Sequence, residues 1–483
     1  MKNNAGLSAS QIKRNRFTFG IGTLGRDMVY ALFSMFLLIY LTEVLALPAQ
    51  TLGWITAVIV AARIFDAVTD PVMGVVVDNT KTKWGRFKPW LVVGMISSPI
   101  LTVLLFTDFG LSGAVFVLVF AVIYVLWGIA YTTHDISYWS MLPTLSLDQK
   151  ERERIGAIAR ICANIGLFIV VAGIVPVTDM IARHLASASG QFAAVDIDVL
   201  TSEQLRPFLI QAYQYFAIAA VIIMVLFMLI TVFGVKEPGL VHETKATPFR
   251  EMIKIIFKND QLLCVAIAMS LFMIGYVTTT SFGVHFFTYV YGDVNMFAVF
   301  AVILGVSQIG AQIVFPLVSK HMKRKSLFTL AMILVAAGYI IFFFAPTYTM
   351  LFIGIAGVLL FVGQGFIQVL MLMFLADSVD YGHWKLGKRN DSISFSLQPF
   401  VNKMGAAIAS GIFTVTLIVS GIQDARTPEA VAPEGLVMMR FSMLIIPMIL
   451  IALSYFIWRF KYKIDESFHE QILTDLKSRG ELE

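Results

Sequence analysis

Apolar residues in this chain come in long, nearly unbroken runs, not in the two-residue alternation of a half-buried strand or the narrow stripe of a soluble helix. A run of roughly 20 residues is enough to carry a helix across a ~30 Å hydrocarbon layer. Such runs recur near 27–46, 54–77, 89–107, 112–139, 155–180, 209–235, 261–288, 295–317, 326–345, 349–376, 391–422 and 437–459. The ten-residue alternating segments that build membrane barrels are not seen. The pattern predicts an all-α integral membrane protein with twelve transmembrane helices in two six-helix halves. The polar stretch at 236–260 divides them. The expected organisation is an N-terminal half (1–235), a central cytoplasmic loop (236–260), a C-terminal half (261–459) and a cytoplasmic tail (460–483) too short and charged to fold as a second domain.

Composition agrees with lipid as the main solvent. Of 483 residues, 58% are hydrophobic and only 14% charged, with mean hydropathy +0.81; soluble domains carry about 25% charge. The net charge of +5 raises the question of nucleic acid, and the placement of the charges answers it. Thirty of the 36 Lys and Arg fall in the N-terminal arm, in alternate connections and in the tail; Arg183, Arg206, Arg426 and Arg440 hold the opposite side. That asymmetry places both termini in the cytoplasm and accounts for the net charge without a polyanion. Cys162 and Cys264 lie inside apolar runs without metal-site or CxxC spacing. Lys13, Arg14 and Arg16 precede the first run, but no cleavage site follows, so that run is read as a retained span. His134 and His285 are read as packed, hydrogen-bonded side chains.

Ionisable residues inside apolar runs are costly and mark function. The second run reads Arg63-Ile-Phe-Asp66-Ala-Val-Thr69-Asp70-Pro71. Arg63, Asp66 and Asp70 share one helical face, with Asp66 near the bilayer midplane. Two carboxylates one turn apart repel; a shared proton, a bound cation or a basic neighbour such as Lys403 would relieve them. The bland alternative is a packing salt bridge, a poor route to stability. Arg26 and Asp27 at the start of the first run, Asp135 and Trp139 late in the fourth, and Arg160 early in the fifth add further polar chemistry. Carboxylates accept from hydroxyls, guanidinium groups donate in a fixed fork, and an aromatic face stacks on a sugar ring. For Arg26 and Arg160 the alternative is snorkelling to the cytoplasmic surface; for Trp139 it is an interfacial anchor.

Three blocks carry a family resemblance. Gly74-x-x-x-Asp78 followed by Lys83-Trp84-Gly85-Arg86 resembles the loop signature of the major facilitator superfamily. RIFDAVTDPVMGVVVDNTKTKWGRFKPW at 63–90, DISYWSMLPTLSLDQKERERIGAIAR at 135–160 and ADSVDYGHWKLGKRNDSISFSLQPFVNKMG at 376–405 resemble the glycoside–pentoside–hexuronide:cation symporters, the melibiose permease among them. The resemblance covers nearly the whole chain. It implies the major facilitator fold and symport of a sugar with H⁺ or Na⁺. By position it implies cation binding at Asp66, Asp70, Thr132 and Thr69 beside Lys403, with Na⁺, if used, at Asp66 and Asp70. It implies substrate binding at Asp27, Arg26, Asp135, Trp139, Arg160, Gln368 and Gln398, and gating at Arg63, Asp78, Arg86, Asp148, Arg152, Asp380 and Arg389.

Two positions depart from the family pattern. Thr69 stands where the sodium-using melibiose permease has an amide, which tilts the reading towards H⁺. Gln368 replaces an aromatic residue, which loosens any inference of the sugar. No cofactor is expected beyond the coupling ion, and the protein is read as a monomer in a bacterial inner membrane. The rival readings are a carrier of another solute such as a lysolipid, a non-transporting sugar sensor, and a membrane enzyme. No HExxH, GxSxG or nucleotide-loop motif supports an enzyme.

Overall fold

The computed structural model describes residues 8–146, 148–190, 200, 202–237, 257–293, 296–346, 349–387, 389–422 and 431–481. The described residues are helical nearly throughout, as lipid requires: a helix satisfies its own backbone donors and acceptors where no water can. In chain order the long helices are α1 Ser10–Val44, α2 Ala49–Asp78, α3 Lys88–Leu105, α4 Gly113–Met141, α5 Gln149–Ala188, α6 Ser202–Gly234, α7 Asp260–Tyr291, α8 Met296–Val318, α9 Arg324–Phe344, α10 Met350–Leu386, α11 Asp391–Val419 and α12 Pro433–Lys461. A shorter helix, α13 Glu466–Ser478, follows. Among the described residues, eleven helices are long and apolar enough to cross a membrane. The helix outside that set, α2, has comparable length but is interrupted by Arg63, Asp66 and Asp70.

Each expected run corresponds to a helix, but several helices reach well beyond their apolar part. The largest difference is α1. Its polar first half was read as an arm, yet the helix starts with a capping box on Ser8 and runs through Arg26 and Asp27 into the apolar stretch. Those two residues therefore sit mid-helix, not at its opening. Of the charges used for orientation, Lys2, Lys245, Arg250, Lys254, Lys388 and Arg426 lie outside the described residues, as does 238–256 of the central loop.

The chain forms two compact units. One comprises Leu7–Met141 with Ile158–Glu237; the other comprises Leu142–Ala157 with Pro238–Glu483. In the first, α1 lies along α6, α4 packs on α2 and α3, and α3 also meets α6. Gly25 is what lets α1 approach so closely: a β-carbon there would stand 2.4 Å from the Met224 Cα. The core of this unit is aromatic, with Phe33 stacked on Trp127 and Trp127 on Tyr131 at 4.9 Å. In the second unit α9 pairs with α10, α7 with α11 and α12, and α8 with α10. Exposed Leu, Ile, Val and Phe side chains cover many helix exteriors, as expected of surfaces that face lipid.

Candidate substrate and ion sites

Arg26 is the centre of a polar site in the first unit. Its guanidinium is buried and fully engaged. Nε and Nη2 donate to Asp27 Oδ2 at 2.9 and 2.6 Å, and Nη1 donates to Asp135 Oδ1 at 2.8 Å. It also lies 5.2 Å from the Tyr138 ring and 5.0 Å from the Trp139 ring. Snorkelling does not describe this residue. The side chains of Asp27 and Asp135 keep 17% and 14% exposure against 3% for Arg26, so the carboxylates are the part a solute can reach and the arginine stands behind them.

Arg160 approaches the same place from α5. Its guanidinium lies 4.6 Å from the Trp139 ring, and its buried Nε has no hydrogen-bond partner among the described residues. That leaves a donor in fixed orientation beside two carboxylates, suited to a hydroxyl oxygen. Trp139 itself is 2% exposed and carries a guanidinium from Arg26 and another from Arg160. It holds the arginines in place; it does not offer an open face to a sugar ring. The half-buried Tyr30, stacked on Tyr131 at 5.3 Å, is the more accessible aromatic. Tyr30 escaped the sequence reading because an aromatic residue in an apolar run carries no signal of its own. His134 is buried with neither ring nitrogen hydrogen-bonded among the described residues, which corrects the expectation of a hydrogen-bonded histidine.

The acidic pair of α2 lies in the same unit. Asp70 is fully buried, and its Oδ1 accepts from Thr132 Oγ1 on α4 at 2.8 Å. Asp66 is half-buried; a β-carbon on Gly128 would stand 3.1 Å from its Oδ1. The lack of a side chain at 128 thus makes room for that carboxylate. Thr69 Oγ1 is turned back to the Asp66 carbonyl at 3.3 Å. Arg63 interacts with the Tyr124 side chain on α4. Lys403 is half-buried on α11 in the second unit, as Gln368 is on α10; Gln398 is buried on α11 with its Oε1 unpartnered among the described residues.

At the end of α2 the loop motif is a built turn. Gly85 has φ of +100°, a conformation open to glycine. Arg86 lies 3.6 Å from the buried Asp78, and its amide donates to Glu237 Oε2 at 3.3 Å. Burial pushes the Glu237 carboxyl up, against the Arg86 amide and the charge of Lys88. Glu237 was missed because 151 residues separate it from Arg86.

A denser ion network belongs to the second unit. Arg152 is completely buried, donating from Nη1 to Asp380 Oδ2 at 2.6 Å and from Nε and Nη2 to the Ser146 and Pro143 carbonyls at 2.5 and 3.0 Å. Asp380 also receives Arg389 Nη1 at 2.9 Å and meets His469 Nε2 of α13 at 3.0 Å. Arg324 bridges Glu153 at 2.7 Å and Asp377. Of the residues expected at the gate, Arg152, Asp380 and Arg389 are thus brought together. Asp148 is exposed and instead accepts from the Lys150 amide at 3.0 Å at the start of α5. Glu153, Arg324, Asp377 and His469 were not anticipated. Among the described residues no cluster of three or more His, Cys, Asp or Glu side chains is arranged to hold a metal ion.

A family model described as MFS/sugar transport protein matches residues 18–466. The chain belongs to that family. As a member of the MFS sugar transport proteins it is a multi-pass membrane transporter and not an enzyme. It is 29% identical to the lactose permease of Leuconostoc lactis, over 98% of this chain and 73% of that protein. It is 30% identical to the lactose permease of Lactobacillus helveticus, over 96% and 72%. It is also 25% identical to the isoprimeverose transporter of Lactiplantibacillus pentosus, over 96% and 91%. The E. coli fucose:proton symporter shares the fold, with a TM-score of 0.63 at 13% identity over 94% of this chain and 99% of that one.

Proposed function

We propose that this protein is a cation-coupled symporter of a glycoside or pentoside, working by alternating access. The observation that carries the reading is the Arg26–Asp27–Asp135 constellation, with partly open carboxylates on a locked guanidinium and Arg160 as a second donor. Sugar hydroxyls both donate and accept, and this set offers both partners. An acyl chain would leave those charges unmatched, which disfavours the lysolipid reading. The relatives named for lactose and isoprimeverose, both neutral sugars, lean the same way.

Asp66 and Asp70, with Thr132 and Thr69, are the proposed site of the coupling ion, H⁺ or Na⁺, with Lys403 as electrostatic substitute during the empty return. Neutralising the pair favours the loaded carrier; a sugar without its cation leaves charge uncompensated. One cation crossing 100 mV supplies about 2.3 kcal/mol, or roughly fifty-fold accumulation. Arg152, Asp380 and Arg389 serve the inner gate in this reading, with Arg63, Asp78 and Arg86 at the other polar contacts. We further propose twelve spans in two halves, a monomer, both termini cytoplasmic, and residence in a bacterial inner membrane; the distribution of Lys and Arg supports the orientation.

The test is uptake of radiolabelled lactose and isoprimeverose into proteoliposomes with Na⁺ and H⁺ gradients imposed separately. Accumulation driven by one gradient supports the proposal and names the ion. Equal uptake with no gradient would refute coupling.

A further inference from the structure

The second unit holds a group of amide and phenol side chains, of which only Gln368 was named above for the sugar. Gln308 on α8 and Gln364 on α10 are 2% and 0% exposed. Gln308 Nε2 and both amide atoms of Gln364 make no well-formed hydrogen bond among the described residues, with the Tyr276 and Tyr339 phenols only in loose reach. The helices are drawn together here because Gly365 has no side chain: a β-carbon would meet the Gln308 carbonyl oxygen and the Ala311 Cβ at 3.0 Å. Tyr276 of α7 lies against Gln308 and Gln368. Tyr339 of α9 lies beside Gln364, while its hydroxyl is engaged with Thr279 Oγ1 at 2.7 Å. Tyr276 and Gln368 are half-buried, whereas Gln308 and Gln364 are buried.

Poorly satisfied amide groups inside a membrane helix bundle are a standing penalty, and native proteins keep few of them without a reason. The chemistry of the group limits what could satisfy it. An amide offers two donors and an acceptor, and a phenol offers one of each, which matches a hydroxyl that both gives and takes. No Lys, Arg, Asp or Glu occurs in the stretches that form the group, 270–281, 303–315 and 350–376, so these stretches offer a carboxylated or sulfonated solute no counter-charge of their own; Lys403 stands on α11, which packs on α7. The group contrasts with the charged Arg26 constellation and is its neutral counterpart.

We propose that Gln308 and Gln364, with Tyr276 and Gln368 at the rim, form a hydroxyl-reading subsite for an uncharged sugar residue. The subsite deepens the sugar-transport reading and rests on it. It would select neutral over anionic sugars, and among neutral sugars those with a hydroxyl placed to meet the amides.

The test uses the full chain in proteoliposomes with lactose, isoprimeverose and a set of singly deoxygenated analogues of whichever is carried, beside a glucuronide. Gln308→Leu, of similar volume without the amide, is expected to raise KM about tenfold with Vmax within about threefold. It should also shrink the discrimination against one deoxy analogue by a similar factor, which a merely structural role would not do. Gln364→Leu is the second variant should the first fail to fold, and thermal melting of both reports folding separately. If the variants keep KM and the deoxy discrimination while melting at or above the wild-type temperature, the amides are packing or water-binding groups and the inference falls. A glucuronide carried as well as the neutral sugars overturns the proposed selectivity. If the wild type accumulates no glycoside, the transport reading fails and takes this inference with it.

Discussion

Arg26 Nη1 donates to Asp135 Oδ1 across 2.8 Å, joining α1 to α4 through a side chain that is itself almost completely buried. Asp27, the neighbour of Arg26 in sequence, holds the other edge of the same guanidinium. The two acids are therefore fixed relative to each other by a cation that a solute cannot easily displace.

Removing one acid should be felt in binding more than in folding, since Asp27 still pairs Arg26. Asp135→Ala is expected to lower sugar affinity by about ten- to a hundredfold, in line with the ~1.5–3 kcal/mol of a hydrogen bond to a charged group. Counterflow in vesicles measures it. Wild-type affinity in the variant would remove Asp135 from the sugar site.

Thr132 donates to Asp70, so Thr132→Val deletes one neutral partner of a buried carboxylate. The expected result is a three- to tenfold higher cation concentration for half-maximal uptake. Sugar affinity at saturating cation should be unchanged. A variant that shifts sugar affinity and leaves the cation dependence alone would contradict the assignment of Asp70 to the ion.

Arg152→Ala strands Asp380 less than most such changes would, because Arg389 and His469 remain. It should still loosen Leu142–Ala157, whose Ser146 and Pro143 carbonyls Arg152 holds. A cysteine placed at Ser146 is expected to be alkylated at least tenfold faster in the variant. Equal rates would show that the segment is held by other contacts.

The last helix has its own pH dependence. Asp465 caps α13; the hydrogen bond from the Phe468 amide, followed by opposing burial and by Ser467 and Lys325, holds its carboxyl below the usual aspartate range. Folded below its unfolded value near 3.9, this group contributes stability above that pH and loses it as pH falls through the lower folded value. Asp465→Asn keeps a cap without the charge and should lessen that acid sensitivity; Asp465→Ala should cost about 1 kcal/mol of local helix stability. Limited proteolysis of the tail between pH 3 and pH 7 reads both.

The helices were legible because lipid imposes one requirement on each successive apolar segment. Their ends were less so. Residues 10–26 hold Lys13, Arg14, Arg16 and Arg26, and nothing in that stretch says helix as strongly as the packing does: Gly25 against Met224, and Asn15 hydrogen-bonded to the Lys236 carbonyl at 2.9 Å. Asp27, Asp135 and Asp70 stood out because a carboxylate in an apolar run is rare. Tyr30, Gln308 and Gln364 did not, since aromatic and amide side chains are tolerated there and become informative only when their partners are known. Glu153, Arg324, Asp377 and His469 sat in ordinary-looking polar ends; only the folded chain brings 153, 324, 377 and 469 to one place.

Asp380 answers to three basic groups at once, two arginines and a histidine from the tail. With Arg152 taken away the acid is not left bare, because Arg389 and His469 still contact it. In the inner gate proposed above, such a clasp would come undone in instalments, with the acid keeping a basic partner at each step. A carrier that must turn over many times a second gains from that: its closed form can be well made without becoming a trap.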